Sequence, residues 1–225
     1  MDTDRPIGRR AFLGFVGVGL SSLAWGGSAL DLINHTTELI PKGLRSAFPF
    51  GEGWRIYAIQ TPYPEFSADT WELRIDGLVE HPQTLSYAQL LALPQARQTT
   101  DFHCVTGWSV DDVRWQGVRL QDLFAAAKPL PTAKAVRFQS AETPYVDSLT
   151  LEQALAPDAM LAHTMDGDPL TREHGAPVRM VIPQMYGYKG VKWVQQITLT
   201  ATAEDGYWEQ RGYDRDAFIG NSNGR

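Results

Sequence analysis

Between residues 71 and 200 the apolar positions fall in short runs separated by polar or turn-forming residues. Trp71 to Val79 (WELRIDGLV) is strand-like, with β-branched and aromatic residues around Gly77. Gln98 to Cys104 reads as a strand ending at the cysteine, followed by a turn-like Val105-Thr106-Gly107-Trp108. Val113 to Val118 is a short strand broken by Gly117, and Ala135 to Gln139 is another. Met160 to Thr164 is a strand turned by Asp166-Gly167-Asp168-Pro169. Val178 to Ile182 and Trp193 to Thr200 read as buried strands. Three stretches read as helices. Ser86 to Leu93 opens with a Ser86/Gln89 capping box and precedes Pro94; Leu120 to Ala127 follows later; Thr150 to Leu155 stops before Pro157. Strands and short helices mix without regular alternation, which predicts an α+β fold and argues against a doubly wound sheet or barrel. The elements run evenly with no flexible linker, so one domain over residues 30–225 is expected. The tail from Gly206 to Tyr213 is too aromatic for a loose end and is expected to pack back on the domain.

The first thirty residues do not fit this pattern. Arg9-Arg10 abut an uncharged run from Ala11 to Leu30, which resembles a twin-arginine export signal over residues 1–29. A transmembrane anchor is the alternative, since that length could just span a bilayer. Gly14, Gly17, Gly19, Gly26 and Gly27 dilute the hydrophobicity and favour export. The twin-arginine translocase carries folded proteins, so the leader predicts a periplasmic protein loaded with its cofactor beforehand.

The formal net charge is −6 and no Lys/Arg block exists, which excludes electrostatic nucleic-acid binding. The one cysteine, Cys104, excludes an intrachain disulfide and a cysteine-based structural zinc site. No P-loop, H-E-x-x-H or G-x-S-x-G motif is present. Cys104 is either a buried inert residue or a thiolate at a strand–loop junction. His103 would point to the opposite face and so would not activate it. Arg179 stands inside an apolar run, and a buried guanidinium needs an anionic partner. Either an Asp or Glu supplies it, or Arg179, Lys189, Lys192 and the glycine-rich loop after Pro183 form an anion cradle.

FHCVTGW, then W-x-G-V-x-L-x-D-L-F, then EHGAPVRMVIPxxYGYKGVKW resemble the sulfite-oxidase-type molybdopterin-dependent oxidoreductases. The resemblance covers about residues 54–213. Within that family it is closer to the bacterial branch that includes the exported methionine-sulfoxide reductase catalytic subunit. It implies a mixed-sheet molybdopterin-binding fold, a molybdenum–molybdopterin cofactor and Cys104 as the metal ligand. It further implies that His174, Arg179, Gly190, Val191 and Lys192 hold the pterin or its phosphate, with Ser140 near the cofactor and Tyr57 at the edge of the pocket. The runs in which sulfite oxidases carry substrate-binding arginines read here as Ala58-Ile59-Gln60 and Gly107-Trp108-Ser109. Reduction of a small or protein-borne S-oxide or N-oxide is therefore expected before sulfite oxidation. A non-enzymatic exported binding protein is a further alternative. No haem or iron–sulfur motif is encoded, so electrons are expected from a membrane haem protein or a cytochrome.

Overall fold

In the computed structural model, residues 53–221 can be described; the expected leader over residues 1–29 lies outside them. Two sheets carry the structure. The first has the order β2-β1-β10-β5-β6, built from β1 (Glu72–Gly77), β2 (Gln83–Ser86), β5 (Ala135–Ser140), β6 (Val146–Thr150) and β10 (Val194–Thr200). β1 and β10 pair in parallel, with Ile75 opposite Ile197, and the other pairs are antiparallel. The second sheet has the order β3-β4-β7-β8: β3 (Ala96–Cys104), β4 (Trp108–Arg119), β7 (Met160–Met165) and β8 (Asp168–Pro169). The short β9 (Arg179–Val181) pairs with β7 off that path. Three small helices join the strands: α1 (Tyr87–Ala92), α2 (Leu120–Ala127) and α3 (Leu151–Ala154). The architecture is the mixed α+β arrangement that the irregular element order implies.

The local chemistry explains most boundaries. α1 and α3 both begin with reciprocal capping boxes, Ser86 with Gln89 and Thr150 with Gln153, which satisfy otherwise unpaired backbone N–H groups. In β1, Leu73 and Ile75 point inward while their neighbours face outward, as a period of two requires. Their core continues through Phe124, Phe138, Leu149, Leu161 and Met180. A smaller cluster holds Val113, Trp115, Met160 and Ala162. Burial of this apolar surface, about 25 cal/mol per Å², is the main force holding the sheets.

Several sequence expectations are corrected here. Gly117 does not break a strand. β4 runs continuously from Trp108 to Arg119, and Gly117 marks a register shift against β7, where a Cβ would lie 2.1 Å from the Leu161 carbonyl oxygen. Trp108 is the first residue of β4 rather than part of the turn. β2 and β6 are additional strands; each is short and leads directly into a capped helix. The aromatic tail packs as expected: the Tyr207 N–H donates to the Val146 carbonyl at 2.8 Å, and the Tyr188 hydroxyl donates to that of Asp214 at 2.8 Å.

Candidate active site

A cavity of about 510 Å³ opens beside the end of β3. Phe102 and Cys104 both line it while His103 does not, as alternation along a strand requires. The β3–β4 turn fixes the cysteine: the Gly107 N–H donates to the Cys104 carbonyl at 3.0 Å, and Gly107 takes φ +87°. The Cys104 sulfur lies 3.2 Å from the Thr106 hydroxyl.

Arg179 enters from β9. It is 4% exposed, and no carboxylate pairs with it among the described residues. The guanidinium packs over Phe102 and Trp115, 5.4 Å from each ring centroid, and donates one long bond of 3.4 Å to the His174 carbonyl. Its Nε is buried without a partner. Burial pushes its pKa down to about 10, and Tyr145 offsets only part of the lost hydration. Of the two readings of this arginine, the carboxylate pair is thus absent among the described residues.

Lys192 donates to the carbonyls of Tyr57 at 2.7 Å and Glu173 at 3.0 Å, and sits 4.1 Å from the Trp193 ring centroid. Burial, then repulsion from Arg179, lowers its pKa to about 7. His174 lines the same space and its Nδ1 is buried and unpaired. Burial, with Arg179 and Lys192 adding to it, brings its pKa to about 4, so the ring is neutral at physiological pH. Gly190 lines the cavity where the backbone is close, since a Cβ there would lie 3.1 Å from the Met180 carbonyl oxygen and 3.2 Å from that of Gly187.

The other expected residues divide. Tyr57 is 56% exposed at the rim. Ser140 and Val191 do not line the cavity. The Ser140 hydroxyl donates to the Lys192 carbonyl at 2.8 Å and accepts the Glu142 N–H at 2.9 Å, so it braces two residues that do. Val191 is fully buried, and its carbonyl accepts the Met180 N–H at 2.8 Å, tying the loop to β9. Lys189 is a correction. Its ammonium is not part of any cradle but is 2% exposed, bonded to Asp147, Glu209 (2.6 Å) and the Ser148 carbonyl (2.9 Å). Burial pushes the Asp147 carboxyl up to about 7, against the opposing pull of Lys189.

Three contributors had no advance signal. Glu142 accepts the Ile59 and Gln60 N–H groups at 2.6 and 3.0 Å, pinning the segment that carries Tyr57. Trp108 presents a buried, unpaired indole N–H. Arg55 adds a further guanidinium to the lining. Each lies within four residues of an expected site residue (Arg55 of Tyr57, Trp108 of Cys104, Glu142 of Ser140), and only the fold turns it toward the same space.

The arrangement has one soft thiol, two cationic side chains with depressed pKa values, unpaired N–H donors on Arg179 and Trp108, and an unpaired ring nitrogen on His174. A bulky group bearing a phosphate and needing a sulfur ligand for its metal fits these residues. Thiolate suits a soft or high-valent centre, and the unpaired guanidinium suits a phosphate. Among the described residues no group of three or more His, Cys, Asp or Glu could hold a metal unaided.

The sequence profile of the oxidoreductase molybdopterin-binding domain matches residues 60–208. The chain is 41% identical over 152 residues to the uncharacterized oxidoreductase YuiH of Bacillus subtilis, covering 68% of this chain and 76% of that protein. It is 32% identical over 174 residues to the protein-methionine-sulfoxide reductase catalytic subunit MsrP of Campylobacter jejuni, covering 70% of this chain and 58% of that one. Among solved structures it resembles the sulfane dehydrogenase SoxCD of Paracoccus pantotrophus, with a TM-score of 0.59 at 28% identity over 63% of this chain and 41% of that one.

Proposed function

Since the chain belongs to the molybdopterin-binding oxidoreductase domain family, we propose that it is a periplasmic molybdenum enzyme that reduces S-oxide or N-oxide substrates. The observation that carries this reading is the cavity itself, in which Cys104 faces the same space as the unpaired N–H groups of Arg179 and Trp108 and the unpaired ring nitrogen of His174. Arg179 and Lys192 would hold the phosphate, and His174 the pterin or its phosphate. Gly190 lines the same space, and Cys104 would ligate the metal. The cofactor, when bound, supplies two-electron redox chemistry and a place for the transferred oxygen. The chain's residues would orient it within the cavity.

Oxide reduction consumes two electrons and two protons: R₂S=O + 2e⁻ + 2H⁺ gives R₂S + H₂O. The electrons would come from a separate haem protein or cytochrome. The neutral rim beside Cys104, formed by Tyr57, Val105, Thr106 and Trp108, favours an uncharged oxide over a dianion. The Campylobacter jejuni relative MsrP, a protein-methionine-sulfoxide reductase catalytic subunit, supports this reading. One observation favours a second reading. Arg55 lines the cavity, and a guanidinium there could hold sulfite for oxidation in the opposite direction. The leader over residues 1–29 would direct export by the twin-arginine route.

Steady-state assays of the cofactor-loaded protein decide between the readings. Reduction of a sulfoxide by an artificial donor should exceed sulfite oxidation, and Cys104→Ser should abolish it. Fast sulfite oxidation would establish the second reading, and an active Cys104→Ser enzyme would remove the cysteine from the chemistry.

A further inference from the structure

We propose that Thr106 is a positioning residue whose hydroxyl hydrogen-bonds the Cys104 sulfur and thereby sets the reduction potential of the metal that sulfur holds. The inference rests on the metal reading above and goes beyond it by assigning the tuning group.

The geometry is local and well fixed. The two atoms are 3.2 Å apart across the β3–β4 turn. That turn is closed by the Gly107 N–H to the Cys104 carbonyl, and Cys104 pairs directly with Trp108 across the hairpin. The intervening Val105 packs against the main core, so the turn is anchored from below. Thr106 is β-branched, which restricts its χ1 and hence the direction of the hydroxyl. Among the described residues this is the one hydrogen bond of that hydroxyl.

The distance alone leaves the donor open, since a thiol and a hydroxyl can each give a proton. Metal ligation removes that ambiguity. A ligating cysteine is a thiolate and has no proton, so the hydroxyl must donate. An O–H···S bond withdraws charge from the sulfur, which then stabilises the oxidised metal less. Hydrogen bonds to ligand sulfurs are among the protein's ways of setting such potentials. Among the described residues the Thr106 hydroxyl is the hydrogen-bond partner of the Cys104 sulfur, while the Lys192 ammonium donates to the Tyr57 and Glu173 carbonyls and one Arg179 Nη to that of His174.

The test compares the loaded wild-type protein with Thr106→Val and Thr106→Ser. Valine keeps the shape and removes the hydroxyl; serine keeps the hydroxyl and removes the methyl. Molybdenum content is measured first. Potentials then come from redox titration followed by EPR, and the sulfur-to-metal charge-transfer absorption is recorded alongside. The expected result for Thr106→Val is a tenfold shift of the one-electron equilibrium toward the oxidised state, about 59 mV to lower potential, with a displaced charge-transfer band. Thr106→Ser should return both to wild-type values. An unmoved potential in fully loaded Thr106→Val overturns the proposal while leaving the metal reading intact. So does a Thr106→Ser shift equal to that of valine, which would assign the effect to packing. Wild-type protein without molybdenum overturns the metal reading, and the proposal with it.

Discussion

Replacing Arg179 by methionine should move two properties in opposite directions. In the cofactor-free protein the guanidinium is 4% exposed with no carboxylate against it among the described residues, and burial holds its pKa at about 10, well below that of a free guanidinium. That difference corresponds to roughly 3 kcal/mol of unfavourable free energy for keeping the charge inside, at about 1.4 kcal/mol per pH unit. The sign is unambiguous. A folded pKa below the unfolded one means the unfolded chain holds the proton more tightly, so the penalty is complete below about pH 10 and lifts only above it. Against it stand the ring contacts with Phe102 and Trp115, on the order of 1 kcal/mol together, and a long bond to His174. Methionine retains most of the apolar contact without the charge. Arg179→Met should therefore stabilise the cofactor-free protein by roughly 1–2 kcal/mol, a rise in Tm of about 2–8 °C for a chain of this size. Urea denaturation at pH 7 measures it. The same substitution should deplete the pterin from protein purified out of a molybdate-replete host. A cofactor-free Arg179→Met protein destabilised by more than about 1 kcal/mol would refute the reasoning, because the arginine would then have a stabilising partner in the fold itself.

The Lys192 ammonium, lowered to about 7, is half protonated at neutral pH, and an anion draws its proton on. Sulfate, whose charge is constant, should bind the cofactor-free protein up to tenfold more weakly for each pH unit above about 7, as read by calorimetry, and Lys192→Met should bind weakly without that dependence. Lys189→Met leaves Asp147 and Glu209 buried without their cation and should cost about 3–5 kcal/mol in urea denaturation; a loss below about 1 kcal/mol would show that the triad is solvated. Changing Arg9 and Arg10 to Lys should leave the protein in the cytoplasm by cell fractionation, whereas unchanged export would assign the general secretory route.

How much of this was legible in the sequence follows from how local each signal is. The capping boxes at Ser86 and Thr150 and the run Leu120–Ala127 are encoded within a few residues, and the helices lie close to where those signals place them. β2 and β6 were not legible because each is short and mostly polar, without an alternating apolar pattern, and each is set by pairing with the strand just before it, β1 and β5. Gly117 reads as a strand breaker by propensity, yet the close approach of the Leu161 carbonyl requires it inside a continuous strand. The isolated Arg179 in an apolar run announced itself, since a charge in such a pattern must be met by something. Lys189, three residues from Lys192, could not be told apart from it by spacing; only the burial of Asp147 and Glu209 beside it assigns it to structure rather than to the cavity. Glu142 and Arg55 reach the site through tertiary contact alone, from chain segments with no motif of their own.

The central claim is that Cys104 and the Arg179/Lys192 pair hold one molybdenum–pterin group. Elemental analysis of wild-type protein from a molybdate-replete host, with fluorescence detection of the released pterin, tests it most directly. The account predicts about one molybdenum and one pterin per chain, with the metal lost and the pterin retained in Cys104→Ser. Well-folded wild-type protein carrying zinc, or no metal and no pterin, would contradict it.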